Sequence, residues 1–236
     1  MKILSIETTE RIGSLAALSD DKTLSTLTLN DEQRSAQSLT VGLRDLLTEV
    51  GWETSDVDLV AVTQGPGSFT GLRVGLTAAK VFAYCAEAEI MGVNTLDAIA
   101  ARCPADVSRV AVAVDAQRDQ VVGRLYKRDE QGAMRPDGEE RLVDWDVFLA
   151  ELPVDVPLSG PILQRKAKHL ADDPAIRLLD PAYWGPTAQT VGELAYEQYA
   201  AGRRDDVWTI LPRYSRQSAA EEKWAERQEE REKSSD

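Results

Sequence analysis

The sequence feature that most constrains the fold is a glycine-rich run, QGPGSFTGLRVG at 64–75. It follows an apolar segment at 58–63 that is predicted to form a buried strand, and it opens a helix predicted over 69–86. Free backbone N–H groups and the helix dipole can bind a phosphate at such a junction. The run is not a Walker A loop, because Leu72-Arg73 stands where Lys-Ser/Thr would be needed.

Two further interpretations of the glycines differ in whether a ligand is involved. The run spells G-x-G-x-x-x-G, close to a dinucleotide fingerprint, but Pro66 in the turn and Asn94 in place of an acid argue against it. A tight turn with close helix packing explains the glycines without a ligand. The candidates for a phosphate site are Glu7, Thr8, Thr9, Gly65, Gly67 and Ser68.

Small residues recur every four positions along the predicted helix, at Gly71, Gly75, Ala79 and Ala83. A glycine inside a helix costs about 1 kcal/mol relative to alanine, so two of them need compensation. Close approach of another element supplies it. That element could belong to the same lobe or to a partner helix, and the sequence leaves both open.

The first hundred residues predict the order β-β-β-α-β-α-β-α. Period-2 alternation and apolar runs predict the strands, and a stripe of Leu39, Leu43, Leu46, Leu47 and Val50 predicts the first helix, with Gly51 as its cap. The predicted strands are 2–6, 12–18, 23–29, 58–63 and 90–93. The predicted helices are 34–50, 69–86 and 95–101.

After Pro104 the pattern begins again with an apolar hairpin, so two α/β lobes with similar beginnings are expected. Thr187 is a predicted N-cap and Gly202 a predicted C-cap. The predicted strands are 109–115, 120–126, 156–159 and 176–179, with a polar loop at 127–140. The predicted helices are 144–152, 163–171 and 188–201. The predicted domains are 1–104, 105–216 and a charged tail at 217–236, partly helical or frayed.

Composition excludes several classes of protein. A hydrophobic fraction of 43% supports a packed core. The apolar runs are far shorter than the ~20 residues of a membrane span, and Glu7 comes too early for a signal peptide, so a cytoplasmic location is expected. The formal charge of −13 argues that a basic partner must carry any RNA. Cys85 and Cys103 are expected to be two buried thiols.

Catalytic machinery is scarce in the sequence. His169 is the single histidine, and it is expected on the surface of a helix. Glu7, at the end of the first strand, is expected to be a solvated carboxylate, with magnesium binding beside Thr8 and Thr9 as the alternative. Asp115 occupies the matching place in the second half, so a cleft with two carboxylates is a further possibility.

The run at 64–75 resembles the signature of the TsaB (YeaZ) family, and segments along the whole chain support the resemblance. The opening segment 3–9 resembles the family's first strand, with Glu7 in place of the usual Asp. GVNTLDAIA at 92–100, Asp115-Ala116, and PRYSR at 212–216 with Ala220 are similar to later parts of the pattern. The chain departs from it at 34–36, Gln117, Gln120 and Ser215.

The resemblance implies an actin-like (ASKHA, ribonuclease H-like) α/β fold with two lobes, each a mixed sheet with helices. It implies a non-catalytic subunit that binds and activates a TsaD-type threonylcarbamoyltransferase, together with a TsaE-type ATPase. That assembly makes threonylcarbamoyladenosine in tRNAs reading ANN codons. No cofactor or metal of the chain's own is expected; ATP or ADP would bind at the complex interface, and tRNA would be met only through the complex.

The family pairs through the helices expected here at 34–50 and 69–86, and the free chain is expected to be a homodimer. The residues expected at that interface are Ala36, Leu39, Leu43, Leu46, Gly71, Gly75, Ala79 and Ala83. A stand-alone, kinase-like ATP-dependent enzyme is the alternative, which ATP affinity of the isolated chain would favour. A dinucleotide-binding protein comes third, and an antiparallel first hairpin would exclude it.

Overall fold

The first of two β-sheets holds the opening strands of the chain. The computed structural model describes residues 1–29, 35–170, 173 and 175–216. The sheet has the order β3-β2-β1-β4-β5. Its strands are β1 (Lys2–Glu7), β2 (Ser14–Ser19), β3 (Lys22–Thr28), β4 (Leu59–Gly65) and β5 (Glu89–Asn94). β1 pairs antiparallel with β2 and parallel with β4. This antiparallel first hairpin excludes the dinucleotide-binding interpretation, because that fold opens with a parallel βαβ unit.

Three helices complete the first lobe: α1 (Ser35–Val50), α2 (Phe69–Ala86) and α3 (Thr95–Ala101). A 3₁₀ turn at Thr54–Asp56 precedes β4. α2 begins after Ser68, whose hydroxyl accepts from the Gly71 N–H, and ends before Glu87 in the left-handed region. The predicted bounds of α2 and α3 are confirmed, as is the left-handed Gly51 after α1.

The second sheet has the order β10-β6-β7-β8, and β9 also pairs with β7. Its strands are β6 (Arg109–Asp115), β7 (Gln120–Arg128), β8 (Met134–Pro136), β9 (Arg141–Asp144) and β10 (Leu158–Ser159). The predicted apolar hairpin is confirmed as β6–β7. α4 (Trp145–Ala150) and α5 (Leu163–Leu170) follow in this part of the chain.

Three predictions for the strands were wrong, and the strand predicted at 156–159 is shortened to β10 at Leu158–Ser159. The segment predicted to be a polar loop at 127–140 contains β8, because Met134 is buried there in a core with Val112 and Tyr126. The strand at 176–179 is replaced by a single bridge between Leu178 and Leu158. The second strand begins at Ser14 instead of residue 12, and Ile12 is exposed. Each error concerns a short segment, where alternation carries little information.

The last described helix, α6 (Ala188–Ala200), returns to the first sheet. Its Ala188, Val191 and Ala195 pack in one core with Ile3 and Leu18. The predicted second domain at 105–216 therefore needs a correction, since its residues from 188 onward pack on the first lobe. The Thr187 cap is confirmed, Gly202 after α6 is left-handed, and the predicted tail at 217–236 lies outside the described residues. Among the described helices, none is long and apolar enough to cross a membrane.

Candidate functional site

The glycine-rich run packs against the turn between β1 and β2. A Cβ on Gly71 would lie 1.9 Å from the Thr8 carbonyl oxygen, and one on Gly75 would lie 2.1 Å from Thr8 Oγ1. Thr8 Oγ1 also donates a hydrogen bond to the Gly71 carbonyl at 2.8 Å. The two helical glycines are therefore required by Thr8, which occupies the space that side chains would fill.

In the candidate phosphate loop, the residues considered for phosphate binding contact other residues of the same chain. The Ser68 N–H donates to the Thr9 carbonyl at 3.2 Å, and the Gly71 N–H donates to Ser68 Oγ at 3.2 Å. At Gly67, a Cβ would lie 2.6 Å from the Thr9 Cβ. These contacts favour the interpretation of a tight turn with close helix packing.

Glu7 is buried, so the prediction that it is a solvated carboxylate at the end of the strand was wrong. Its side chain is 1% exposed, and its Oε1 accepts hydrogen bonds of 2.5 Å from both the N–H and the hydroxyl of Thr9. Burial raises the pKa of Glu7 to about 7, against the lowering effect of these hydrogen bonds. Glu7 stabilises the turn that seats α2.

A cleft of about 670 Å³ separates the ends of β1 and β6, where the two lobes meet. Thr9, Gly67 and Ser68 line it, whereas Glu7, Thr8 and Gly65 do not. The two predicted carboxylates are thus not both in the cleft.

Glu10 and Asp115 are the acids that line this cleft from the two lobes. Burial, and then the charges of Glu7 and Asp115, raise the pKa of Glu10 to about 8. Asp115 accepts from the Gln117 N–H at 2.9 Å and pairs with Arg165 at 3.2 Å. The cleft therefore presents Glu10, whose raised pKa favours the neutral carboxyl at pH 7, and Asp115, which is paired with Arg165.

The turn between β6 and β7 is strained, and sequence reasoning missed it. Gln117, Arg118 and Asp119 all have left-handed backbone, with φ of 63, 51 and 55°. Such residues cost on the order of 1 kcal/mol each and persist where neighbouring contacts fix them. The Asp119 carbonyl accepts from the Trp145 N–H, and its carboxylate from Lys166 Nζ. With no glycine in the turn, the sequence carries no signal of this conformation.

The residues expected at a partner interface face the interior of their own lobe. Leu39, Leu46, Ala79 and Ala83 are each at most 1% exposed and belong to the core beneath α1 and α2. Leu43 packs partly buried against that core, and Gly71 and Gly75 are buried. An amphipathic helix on a sheet turns its apolar stripe inward, so these side chains are not available to a second chain. Ala36 lies in α1, and its side chain is outside the described part.

The opposite face of α2 carries exposed apolar side chains. Val81 is 58% exposed and Tyr84 63%, and Tyr84 contacts the ring of Trp208 edge-on at 5.3 Å. Trp208 is 70% exposed, although tryptophan is highly buried on average. We call Val81, Tyr84 and Trp208 the aromatic patch; sequence reasoning missed it because it assigned the inward stripe to the interface.

Trp208 belongs to a segment at 205–214, here called the strap, that crosses the first lobe. Gly92 N–H donates to Asp205 at 2.8 Å, and Arg213 N–H donates to the Gln64 carbonyl at 2.7 Å. Tyr214 stacks on Phe69 at 4.6 Å and accepts from Arg73 Nε at 2.9 Å. The strap thus connects α2 to the mouth of the cleft, which Tyr214 lines.

The remaining candidates are placed as follows. His169 is exposed on α5, as expected. Cys103 is buried, which raises the pKa of its thiol to about 11, whereas Cys85 is exposed, so the expectation of two buried thiols was wrong for Cys85. Within the described ranges, no three His, Cys, Asp or Glu side chains are close enough to hold a metal ion.

Comparisons with known proteins agree with the fold and with the signature run. The sequence profile of the family "TsaD: tRNA N6-adenosine threonylcarbamoyltransferase" matches residues 23–139. The chain is 28% identical to the "tRNA threonylcarbamoyladenosine biosynthesis protein TsaB" of Bacillus subtilis, covering 97% of this chain and 100% of that protein. It is also 28% identical to the TsaB of Escherichia coli, covering 93% and 96%.

The solved structure "YeaZ from Pseudomonas aeruginosa" is similar to most of this chain. The TM-score is 0.75 at 26% identity, covering 90% of this chain and 99% of that chain. Since sequence, fold and the run at 64–75 agree over nearly the full length, the chain is similar to the TsaB (YeaZ) proteins and shares their two-lobed, actin-like (ASKHA) fold.

Proposed function

We propose that this chain is a non-catalytic subunit in the formation of threonylcarbamoyladenosine in tRNAs reading ANN codons. In this role it binds and activates a TsaD-type threonylcarbamoyltransferase. The aromatic patch is the observation that carries the proposal, because it leaves large apolar side chains uncovered on α2. Exposed aromatic side chains on a rigid helix are typical anchors of protein interfaces.

The names of the relatives support the pathway, and the TsaD profile match supports kinship with the proposed partner. The packing of the signature run supports the non-catalytic role. Thr8 fills the space beside Gly71 and Gly75, and Glu7 is engaged with Thr9. These residues hold α2 in position, and α2 carries Val81 and Tyr84 of the aromatic patch.

The remaining parts of the proposal concern partners and ligands. A TsaE-type ATPase joins the pair, ATP or ADP binds at the interface of the assembly, and tRNA is modified only in the complex. When alone, the chain forms a homodimer that covers the same patch. Sedimentation of the free chain at several concentrations tests that last statement.

Reconstitution tests the function. tRNA, threonine, bicarbonate, ATP and the adenylate-forming enzyme are incubated with the TsaE-type ATPase, and this chain and the TsaD-type partner are added singly or together. Modification is expected only when both are present. Modification by this chain without the TsaD-type partner would overturn the non-catalytic role, and modification that is unchanged by adding this chain would overturn activation.

A stand-alone, kinase-like ATP-dependent enzyme is the second candidate, and the cleft of about 670 Å³ favours it. That volume is in the range of small-molecule sites. Calorimetric titration of the isolated chain with ATP distinguishes the two. A dissociation constant in the micromolar range would favour the enzyme, and no measurable heat would favour the subunit.

A further inference from the structure

α5 concentrates positive charge in a chain whose formal charge is −13. Its eight residues include Arg165, Lys166, Lys168 and His169 and no acid. No other described helix carries as many basic residues. Sequence reasoning weighed the charge of the whole chain and so missed this local concentration.

Three of the four basic side chains of α5 share one exposed face. Arg165, Lys168 and His169 stand at positions i, i+3 and i+4, which are neighbours on a helix surface. All three are exposed, whereas Leu163 and Leu170 anchor the other side of the helix in the core. The packing of α5 therefore fixes the basic face toward the outside.

The strained turn adds a further cation beside this face. Arg118 and Arg165 line the same cleft, and Lys166 is tied to the turn by its ion pair with Asp119 at 3.0 Å. The ion pair of Arg165 with Asp115, at 3.2 Å, connects the helix to the end of β6. These two contacts position the turn and α5 relative to each other. We call Arg118, Arg165, Lys168 and His169 the basic surface.

We propose that the basic surface contacts the phosphate backbone of tRNA in the assembled complex. Arginine and lysine side chains supply such positioning contacts to nucleic acids. Lys168 and His169 lie on the exposed helix face and do not line the cleft, so the basic surface extends beyond it, which suits an extended polyanion better than a small ligand enclosed in the cleft. The negative charge of the rest of the chain orients a polyanion toward this face. The inference rests on the proposed function, because it takes the RNA to be that complex's substrate.

The test measures tRNA affinity of the reconstituted complex as a function of salt. The variant Arg165→Gln/Lys168→Gln removes two charges from the basic surface, and Lys22→Gln/Lys127→Gln removes the same charge from exposed positions elsewhere. Each lost phosphate contact lowers the slope of log affinity against log salt by about 0.7–0.9. We expect affinity to fall about tenfold at ~50 mM salt and the loss to shrink at higher salt, with little change for the control. Equal affinity and slope in wild type and variant would overturn the proposal.

Two further measurements separate this inference from the proposed function. Association of each variant with the TsaD-type partner is measured without RNA; failure of the wild type to associate would count against the proposed function instead. In the reconstituted complex, only this chain is isotopically labelled, tRNA is added at low salt, and the NMR signals of the labelled backbone amides are followed. Shifts at 163–170 and 116–120 are expected, and shifts confined to other regions, or none, would overturn the basic surface.

Discussion

Thr8 Oγ1 lies 2.1 Å from the position that a Cβ on Gly75 would occupy. The same hydroxyl donates to the Gly71 carbonyl, and the Thr8 carbonyl oxygen lies 1.9 Å from where a Cβ on Gly71 would be, so one residue explains both glycines inside α2. Two residues 67 positions apart thereby fix how deeply α2 sits on the first sheet. The small-residue stripe of α2 therefore packs inside its own lobe. The face of α2 that remains exposed is the opposite one.

Replacing Gly75 by Ala is expected to destabilise the chain by about 1–3 kcal/mol, because the new methyl group overlaps Thr8 Oγ1. In the background of Thr8→Ala the overlap is gone, and alanine at 75 should be neutral or favourable by up to about 1 kcal/mol. Urea unfolding of the four proteins in this double-mutant cycle measures the coupling. Thr77→Ala, on the exposed side of α2, serves as the control and should change stability by less than about 0.5 kcal/mol. Additive effects of the Thr8 and Gly75 changes would show that the contact is absent.

Placing a charge in the aromatic patch is expected to weaken partner binding without unfolding the chain. Val81→Asp puts a carboxylate where a partner would bury apolar surface, and a loss of at least tenfold in affinity for the TsaD-type partner is expected, about 1.4 kcal/mol. Val154→Asp is the matched control, since Val154 is 85% exposed on the second lobe. Calorimetric titration of both variants against the partner gives the comparison. If the two variants bind equally well, the patch is not the interface.

Stability should depend on pH through Glu7. The pKa of this buried carboxyl is raised from 4.5 to about 7, so between these values the folded chain holds a proton that the unfolded chain has released. The resulting stabilisation is complete below the unfolded pKa and is lost as pH rises through the folded one. Glu7→Gln, which stays neutral, should remove this loss, with a difference from wild type that grows to at most about 3 kcal/mol above pH ~7.

Unfolding free energies measured at intervals between pH ~4.5 and ~8 provide the check. Glu10→Gln is the companion variant, because the pKa of Glu10 is raised to about 8 by burial and by the charges of Glu7 and Asp115. Its effect should extend to higher pH than that of Glu7→Gln. Parallel pH profiles for wild type and Glu7→Gln would show that Glu7 is ionised in the folded chain.

Truncation at two positions should distinguish the contribution of the strap to stability from that of the tail. Ending the chain after Arg204 removes Ile210, which is 5% exposed in the first core, together with the bonds of Asp205 and Arg213. A loss of at least about 3 kcal/mol of unfolding free energy is expected. Ending it after Arg216 should cost less than about 1 kcal/mol, because these contacts are kept. A collapse of stability in the longer of the two truncated chains would mean that residues beyond Arg216 are part of the fold.

The sequence by itself determined the order of the elements in the first lobe and the start and end of several of them. The bounds of α2, α3 and β6 and the caps at Gly51 and Thr187 follow from signals that lie within a few residues of each other. Helix caps and periodic apolar patterns are local, so the chain specifies them before any long-range contact forms. The run at 64–75 likewise indicated the family and its fold.

Only the tertiary structure decided what those elements do. Periodicity shows that α2 has a small-residue stripe, but whether that stripe faces its own sheet or a partner depends on Thr8, 67 positions away from Gly75. The burial of Glu7, the return of α6 to the first sheet and the meeting of Arg118 with α5 are also contacts between distant parts of the chain. Burial, pKa and surface charge are properties of an environment that many segments create together, and local sequence patterns do not encode that environment.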